Sequence, residues 1–174
     1  SVSVVLGSEN VAVEIEDAVS FSSDTPDFWR REGIRYPSHG GRFTGKPSYF
    51  YHITNAATIL LKKTNLTPAD FKYAAFHMPN GKFPVEVARQ LGFEKNQIEK
   101  SLIVHDLGNS YTASGLMGLV STLEHAQEGD RIFFASYGSG AGSDAFVLRA
   151  TKHLKNITKN FAKSIQTKEY INYQ

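Results

Sequence analysis

The sequence contains no cysteine among its 174 residues, so it forms no disulfide and offers no thiol nucleophile. No apolar run approaches the roughly 20 residues that a membrane-spanning helix needs. No charged segment followed by an apolar one marks a secretory signal. These absences predict a cytoplasmic protein that does not associate with membranes.

Charge of one sign is also scarce, since the net charge is only +2. Lysine and arginine are dispersed along the chain except near its C-terminus, whereas nucleic-acid binding needs a concentrated basic face. No nucleic-acid partner is therefore expected. With 41% hydrophobic and 21% charged residues, the composition is that of a globular protein. The length suits one domain or one half of a larger two-part fold.

Both ends of the sequence are abrupt. Ser1 leads directly into the apolar, β-branched run 2–6 without a methionine, and the chain stops after Gln174 without a closing turn signal. We expect a split subunit or a fragment of a longer chain.

Hydrophobic patterning alternates between strand and helix periods. Strands are predicted at 2–6, 11–15, 73–76, 130–137 and 144–150. Helices are predicted at 47–63, at 84–91 and from 109 or 110 to 127, the last rich in small residues that allow close packing. Residues 20–46 form a long connection, which is uncommon and usually functional. The order of elements predicts a layered α/β fold with an antiparallel finish and no internal repeat.

The most informative histidine is His77, which directly follows the predicted strand 73–76. Ligands of α/β proteins commonly lie at the carboxyl ends of strands, and Pro79 and Gly81 favour a tight turn that presents this side chain. The other histidines are interpreted as surface or packing residues: His39, His52, His105, His125 and His153. No pair has the His-x-x-x-His spacing of a metal site, so no metal is expected.

Two further loops carry candidate polar groups. In 108–114, Asn109 or Ser110 can cap the following helix, which is the simpler interpretation. The alternative is that the Asn109 amide donates to a developing oxyanion. In 136–144, three glycines at alternate positions (138, 140 and 142) are compatible with a flexible hairpin or with close approach to a ligand. This loop lacks the Gly-Lys-Ser/Thr ending of a phosphate-binding loop and the Gly-x-Ser-x-Gly setting of a hydrolase nucleophile.

Taken together, these loops resemble the C-terminal half of the archaeal-type hydroxymethylglutaryl-CoA synthases. The matching segments are 24–33 (Asp-Thr-Pro-Asp-Phe-Trp-Arg-Arg-Glu-Gly), 39–45 (His-Gly-Gly-Arg-Phe-Thr-Gly), 76–84 (Phe-His-x-Pro-Asn-Gly-Lys-Phe-Pro), 108–111 (Gly-Asn-x-Tyr) and 136–146 (Ser-Tyr-Gly-Ser-Gly-Ala-Gly-Ser-Asp-Ala-Phe). They extend over almost the whole chain.

The resemblance implies a thiolase-like fold, in which two similar βαβαβαββ halves pack as five αβαβα layers. This chain would form the C-terminal half, with a mixed five-stranded sheet. Residues 1–18 would be the last strands of the N-terminal half, and 19–174 the C-terminal half with its CoA- and acyl-binding loops.

The resemblance also implies an activity, the condensation of acetyl-CoA with acetoacetyl-CoA to hydroxymethylglutaryl-CoA in the mevalonate route to isoprenoids. His77 matches the catalytic histidine that polarises a carbonyl of acetoacetyl-CoA and transfers protons. Thr44, Asn109 and Ser139 match contacts to the substrate. Coenzyme A thioesters are the substrates, and no separate cofactor is expected.

Two basic residues, Arg42 and Lys82, match groups that hold coenzyme A, and their charge suits its phosphates. Relatives often place arginine four residues after the lysine. Glu86 stands there in this chain, which reverses the charge and puts one phosphate contact in question.

The family's nucleophilic cysteine and its glutamate base lie in the N-terminal half, and this chain has neither in a matching motif. We therefore expect a partner half that supplies both groups, and an inactive chain without it. The resemblance further implies a homodimer or larger assembly, as in family members that join a thiolase through a bridging protein.

Two other functions stay open. One is another thiolase-fold condensing enzyme of the ketoacyl synthase type, although the segment 24–45 matches the hydroxymethylglutaryl-CoA synthases better. The other is a non-catalytic scaffold that binds coenzyme A, for which His77, Asn109 and Ser139 would have no use.

Overall fold

The computed structural model describes residues 2–25, 27–41, 45–138, 142–157, 159–167 and 169, and strands and helices alternate along most of them. The strands are β1 (Val13–Ser22), β2 (Phe28–Trp29), β3 (Ser38–His39), β4 (Tyr73–Phe76), β5 (Arg131–Ala135) and β6 (Gly142–Ala150). The α-helices are α1 (Tyr51–Thr64), α2 (Phe83–Leu91), α3 (Lys95–Ile98), α4 (Val104–Leu107), α5 (Ala113–Leu123) and α6 (Phe161–Gln166).

Four strands form one mixed sheet in the order β1-β6-β5-β4. Strands β4 and β5 are parallel, while β6 pairs antiparallel with both β5 and β1. The antiparallel finish and the mixed sheet were predicted. Within the described residues the sheet has four strands, one fewer than expected. A separate hairpin of β2 and β3 lies outside it.

Alternating side chains of β4 and β5 pack on opposite faces of the sheet. Phe76 and Phe133 belong to the apolar cluster shared with α1 and α2, whereas Ala75 and Phe134 belong to the cluster on the α5 side. The sheet thus lies between two helical layers, in the layered arrangement that the sequence predicted.

Helix α1 buries Ile53, Ala56, Ala57 and Leu60, an i, i+3, i+4, i+7 stripe that packs across β1 and β6. Its N-terminal end differs from the prediction. The chain enters α1 through a π-helical turn, Gly45–Phe50, so the proline at 47 lies in that turn and not in the first turn of the α-helix.

Helix α5 packs as closely as its small residues predicted. A Cβ on Gly118 would lie 2.9 Å from both Met78 Cε and the Ser101 carbonyl oxygen. The helix ends at Leu123, four residues earlier than expected, and is preceded by Thr112. Neither Asn109 nor Ser110 is its N-cap residue.

The N-terminal prediction needs a correction. Residues 2–6 form no strand, and Val5 and Leu6 are 95% and 82% exposed. An apolar β-branched run forms a stable strand only where a sheet edge accepts its backbone groups, and none pairs with this run in the described residues.

The predicted strand 11–15 is the start of the longer β1, which continues through a bulge between Ile15 and Asp17. The expected boundary between residues 18 and 19 therefore falls inside β1. This strand pairs with β6 on both sides of that boundary, so the backbone N–H and C=O groups before and after residue 18 belong to one ladder.

None of the helices in the described ranges is both long and apolar enough to span a bilayer.

Candidate active site

His77 is held at the carboxyl end of β4 by its own backbone. Its N–H donates to the Ala135 carbonyl at 2.9 Å, and its carbonyl accepts from the Tyr49 hydroxyl at 2.7 Å. Burial raises the pKa of Tyr49 well above its usual value, so this hydroxyl stays protonated and donates. The position of His77 is thus set by β5 on one side and by the turn before α1 on the other.

The next residue is locked to α5 by one serine. The Ser114 hydroxyl donates to the Met78 carbonyl at 3.0 Å and accepts from the Met78 N–H at 3.2 Å. All three atoms are buried, so each would be costly to leave unpaired. Gly115 allows this approach, since a Cβ there would lie 3.4 Å from His77 Cα.

The turn after His77 leads directly into α2. The Asn80 side-chain oxygen accepts from the N–H groups of Lys82 and Phe83, at 2.9 and 3.0 Å. Helix α2 then ends at Gly92, whose φ of 89° is the left-handed conformation of a glycine cap, as predicted. Lys82 is exposed at the N-terminal end of this helix.

A cavity of about 520 Å³ opens beside the imidazole of His77. Its walls come from four separate stretches of chain. The lining residues are Phe28, His39, His77, Pro79, Phe83, Asn109, Tyr111, Thr112, Tyr137 and Gly138. Its size and largely aromatic lining are typical of a site for a small organic ligand.

His77 is 7% exposed, and burial lowers the pKa of its imidazole from 6.5 to about 4. At neutral pH it is therefore uncharged and can donate from one ring nitrogen while accepting at the other. A neutral imidazole can donate a hydrogen bond to a carbonyl oxygen and then exchange a proton with it.

Asn109 lines the same cavity, directly after Gly108, whose φ is 68°. Its side-chain oxygen accepts from the backbone N–H of Tyr111. With the oxygen so engaged, the NH₂ group is the donor that this side chain can offer to a ligand. The structure therefore brings His77 and Asn109 to one cavity.

The other predicted site residues are placed differently. Arg42, Thr44 and Ser139 lie outside the described residues. Lys82 does not line the cavity, although its neighbour Phe83 does. The roles given to these four residues, and those given to His77 and Asn109, remain predictions.

Glu86, the residue that reverses an expected positive charge, is paired. Arg89 contacts its two carboxylate oxygens at 3.0 and 2.7 Å, and Gln90 donates to one of them at 2.9 Å. The hydrogen bonds from Arg89, with those from Gln90, lower the pKa of this exposed carboxyl to about 2. The charge on this turn of α2 is thereby balanced.

His39 is exposed, in line with its interpretation as a surface or packing residue, but it also lines the cavity, which was not predicted. The imidazole stacks on Phe28 with ring centroids 5.5 Å apart, and both rings line the cavity. Its Nδ1 accepts from the Gly41 N–H at 2.9 Å, which leaves Nε2 as the ring's donor. The signals in the sequence were the unusual length of the connection 20–46 and the matching segment 39–45, which begins at His39.

His52 is a packing residue, as interpreted. It is buried in α1, with Nδ1 2.6 Å from the Ser48 carbonyl and Nε2 2.9 Å from the Ser23 hydroxyl. These contacts tie α1 to the chain segment that follows β1.

A mixed sheet between helical layers, with a histidine at the carboxyl end of a parallel strand facing an aromatic cavity, defines a thiolase-like half-fold. A crystal structure of an HMG-CoA synthase complexed with CoA shows the same fold. It aligns with a TM-score of 0.74 at 24% identity, over 88% of this chain and 44% of that one. The predicted fold class is confirmed.

Residues 61–150 match the family described as "3-Oxoacyl-[acyl-carrier-protein (ACP)] synthase III C terminal", and the chain belongs to this family. It is 55% identical to the hydroxymethylglutaryl-CoA synthase of Methanococcoides burtonii over 90% of this chain and 45% of that protein. With the synthase of Methanosarcina mazei the identity is 52%, over 94% and 48%. The resemblance to archaeal hydroxymethylglutaryl-CoA synthases is confirmed, and the chain spans about half the length of the curated relatives it matches.

Proposed function

We propose that this chain is the C-terminal portion of a hydroxymethylglutaryl-CoA synthase, which condenses acetyl-CoA with acetoacetyl-CoA in the cytoplasm. The observation that carries the proposal is that neutral His77 and the Asn109 amide line one cavity. Identities of 52–55% to archaeal synthases over at least 90% of the chain support it.

The chemistry needs donors at one oxygen. When the enolate carbon of a bound acetyl group attacks the ketone carbon of acetoacetyl-CoA, the ketone oxygen becomes an alkoxide. An N–H of His77 and the NH₂ of Asn109 would stabilise that charge. His77 would pass its N–H proton to the alkoxide to form the tertiary alcohol, while its other ring nitrogen takes up a proton from solvent, so that the imidazole stays neutral. Fixed donors of this kind contribute about 3–4 kcal/mol each to the transition state.

The covalent steps need groups from elsewhere. The sequence contains no cysteine to carry the acetyl group, so the nucleophile would come from an N-terminal half that also provides the glutamate base. Lys82, at the N-terminal end of α2, and Arg42 would contact the phosphates of coenzyme A. A homodimer, and an assembly with a thiolase and a bridging protein, remain predictions.

Complementation tests this function. The chain is mixed with the N-terminal half of the Methanococcoides burtonii synthase, and thiol release and hydroxymethylglutaryl-CoA are measured with acetyl-CoA plus acetoacetyl-CoA. We expect product only from the mixture. Cysteine acetylation is followed separately with labelled acetyl-CoA, because it precedes the carbon–carbon step.

The variant His77→Ala should lower condensation by about 100- to 1,000-fold, the effect of removing one such donor. It should leave acetylation of the partner cysteine nearly unchanged. The matched control is His125→Ala, since His125 is exposed and does not line the cavity. Normal condensation by His77→Ala would show that the site is assigned wrongly.

The family description favours one second candidate, a synthase that extends an acyl-carrier-protein substrate. The same mixture is assayed with acetyl-CoA and malonyl-acyl carrier protein. Condensation and carbon dioxide release there, without activity on acetoacetyl-CoA, would favour this candidate. Binding of coenzyme A thioesters without any turnover would favour the non-catalytic scaffold.

A further inference from the structure

One fully buried carboxylate beside the cavity has no part in the chemistry proposed above. Asp27 is 0% exposed. Its Oδ1 accepts from the Phe28 N–H at 2.9 Å, and its Oδ2 accepts from the Tyr137 hydroxyl at 2.6 Å. A buried carboxylate is costly unless hydrogen bonds satisfy it. These two hydrogen bonds therefore hold the Phe28 backbone and the Tyr137 side chain in fixed positions relative to each other.

The first group held by Asp27 is Tyr137, which lines the cavity. Its ring centroid lies 6.0 Å from that of His77 and 5.4 Å, edge to face, from that of Tyr49. Tyr49 in turn donates to the His77 carbonyl. The carboxylate thus fixes an aromatic ring within the group that surrounds the imidazole.

The second group is the β2–β3 hairpin. The Asp27 carbonyl accepts from the Gly40 N–H at 2.8 Å and closes the hairpin at its open end. Inside it, Phe28 pairs and stacks with His39, and both rings line the cavity. A hairpin with only two residues per strand has little stability of its own, so its place depends on this anchor.

We propose that Asp27 is a positioning residue. It joins Tyr137 to the hairpin that carries Phe28 and His39, and thereby holds these three walls of the His77 cavity in the arrangement that binds the acyl thioester. The proposal rests on the proposed function for the identity of the substrate; the contacts themselves do not depend on it.

The kinetic test uses the complemented synthase. Asp27→Ala and Tyr137→Phe should each lower kcat/KM for acetoacetyl-CoA by roughly 10- to 100-fold, the scale expected for misplaced binding groups. Acetylation of the partner cysteine should stay normal. The double variant should be no worse than Asp27→Ala, because both changes break the same bond. Asp27→Asn should recover much of the loss, since the amide oxygen can still accept from the Phe28 N–H while the NH₂ group donates to the Tyr137 oxygen.

The matched control is Asp24→Asn, an exposed carboxylate three residues earlier in the same connection. It should behave as wild type. Fully additive losses in the double variant, or an unchanged kcat/KM for Tyr137→Phe, would overturn the proposal. Tyr137→Phe removes a single hydroxyl, so the test survives if Asp27→Ala fails to fold.

A readout without turnover separates this proposal from the proposed function. Imidazole ¹H–¹⁵N spectra of the same complex should show the His39 and His77 signals displaced in Asp27→Ala and Tyr137→Phe, and unmoved in Asp24→Asn. Displaced signals in a complex that does not condense would refute the proposed function alone. Unmoved signals in a complex that condenses would refute the positioning role alone.

Discussion

Acidification should destabilise this protein through the buried imidazole of His77. Burial lowers the pKa of His77 from 6.5 to about 4, so between these values the unfolded chain binds a proton that the native chain does not. Stability then rises with pH through this window and falls on acidification. Each pH unit within it is worth up to 1.4 kcal/mol, so between pH 7 and pH 5 the native state should lose about 2 kcal/mol from this residue alone.

The measurement is urea unfolding of the wild type and of His77→Gln at pH 7 and pH 5, at one protein concentration. Carboxylates whose pKa is lowered by ion pairs or hydrogen bonds, such as Glu16 and Asp17, contribute equally to both proteins and cancel. The loss of stability on acidification should be about 2 kcal/mol smaller in His77→Gln. The control His125→Gln changes an exposed imidazole and should keep the wild-type dependence. An equal loss in His77→Gln, or an NMR titration of His77 near pH 6.5, would refute the reasoning.

Two further predictions concern the helix that packs behind His77. Gly118→Ala should destabilise the fold by about 1–3 kcal/mol, because the new methyl group would overlap the Ser101 carbonyl at 2.9 Å; Gly7→Ala, with nothing within 4 Å, is the control, and equal unfolding midpoints would contradict the prediction. Ser114→Ala should cost about 2 kcal/mol, because the N–H and carbonyl of Met78 both lose their partner. Ser121→Ala on the same helix breaks only one exposed bond and should cost less than half as much, so a comparable loss in both would refute this account.

Local signals in the sequence were enough for several elements near the site. The apolar run 73–76 is strand β4, Pro84 and Gly92 bracket α2, and the apolar runs at 130–137 and 144–150 contain β5 and most of β6. Each of these elements is marked by residues close together in the chain, namely the spacing of apolar residues and the positions of proline and glycine. The expectation that His77 stands exposed to a ligand at a strand end followed from the same kind of pattern.

Other predictions failed where the outcome depends on distant partners. Residues 2–6 have the composition of a buried strand, but strand formation needs a pairing partner, and none of the described strands pairs with them. His39 opens the matching segment 39–45, but its place at the cavity depends on the pairing with Phe28, which spacing does not show. Neither result could be deduced from spacing.

Taken alone, the sequence determined the α/β class, the order of strands and helices around His77, and the absence of any thiol, because composition and short-range periodicity control these properties. Tertiary structure decided which side chains meet. The neutral state of His77 comes from the walls around it, and the bond between Asp27 and Tyr137 joins residues 110 positions apart. Desolvation and long-range hydrogen bonds arise only when the whole chain packs, so they leave no local mark in the sequence.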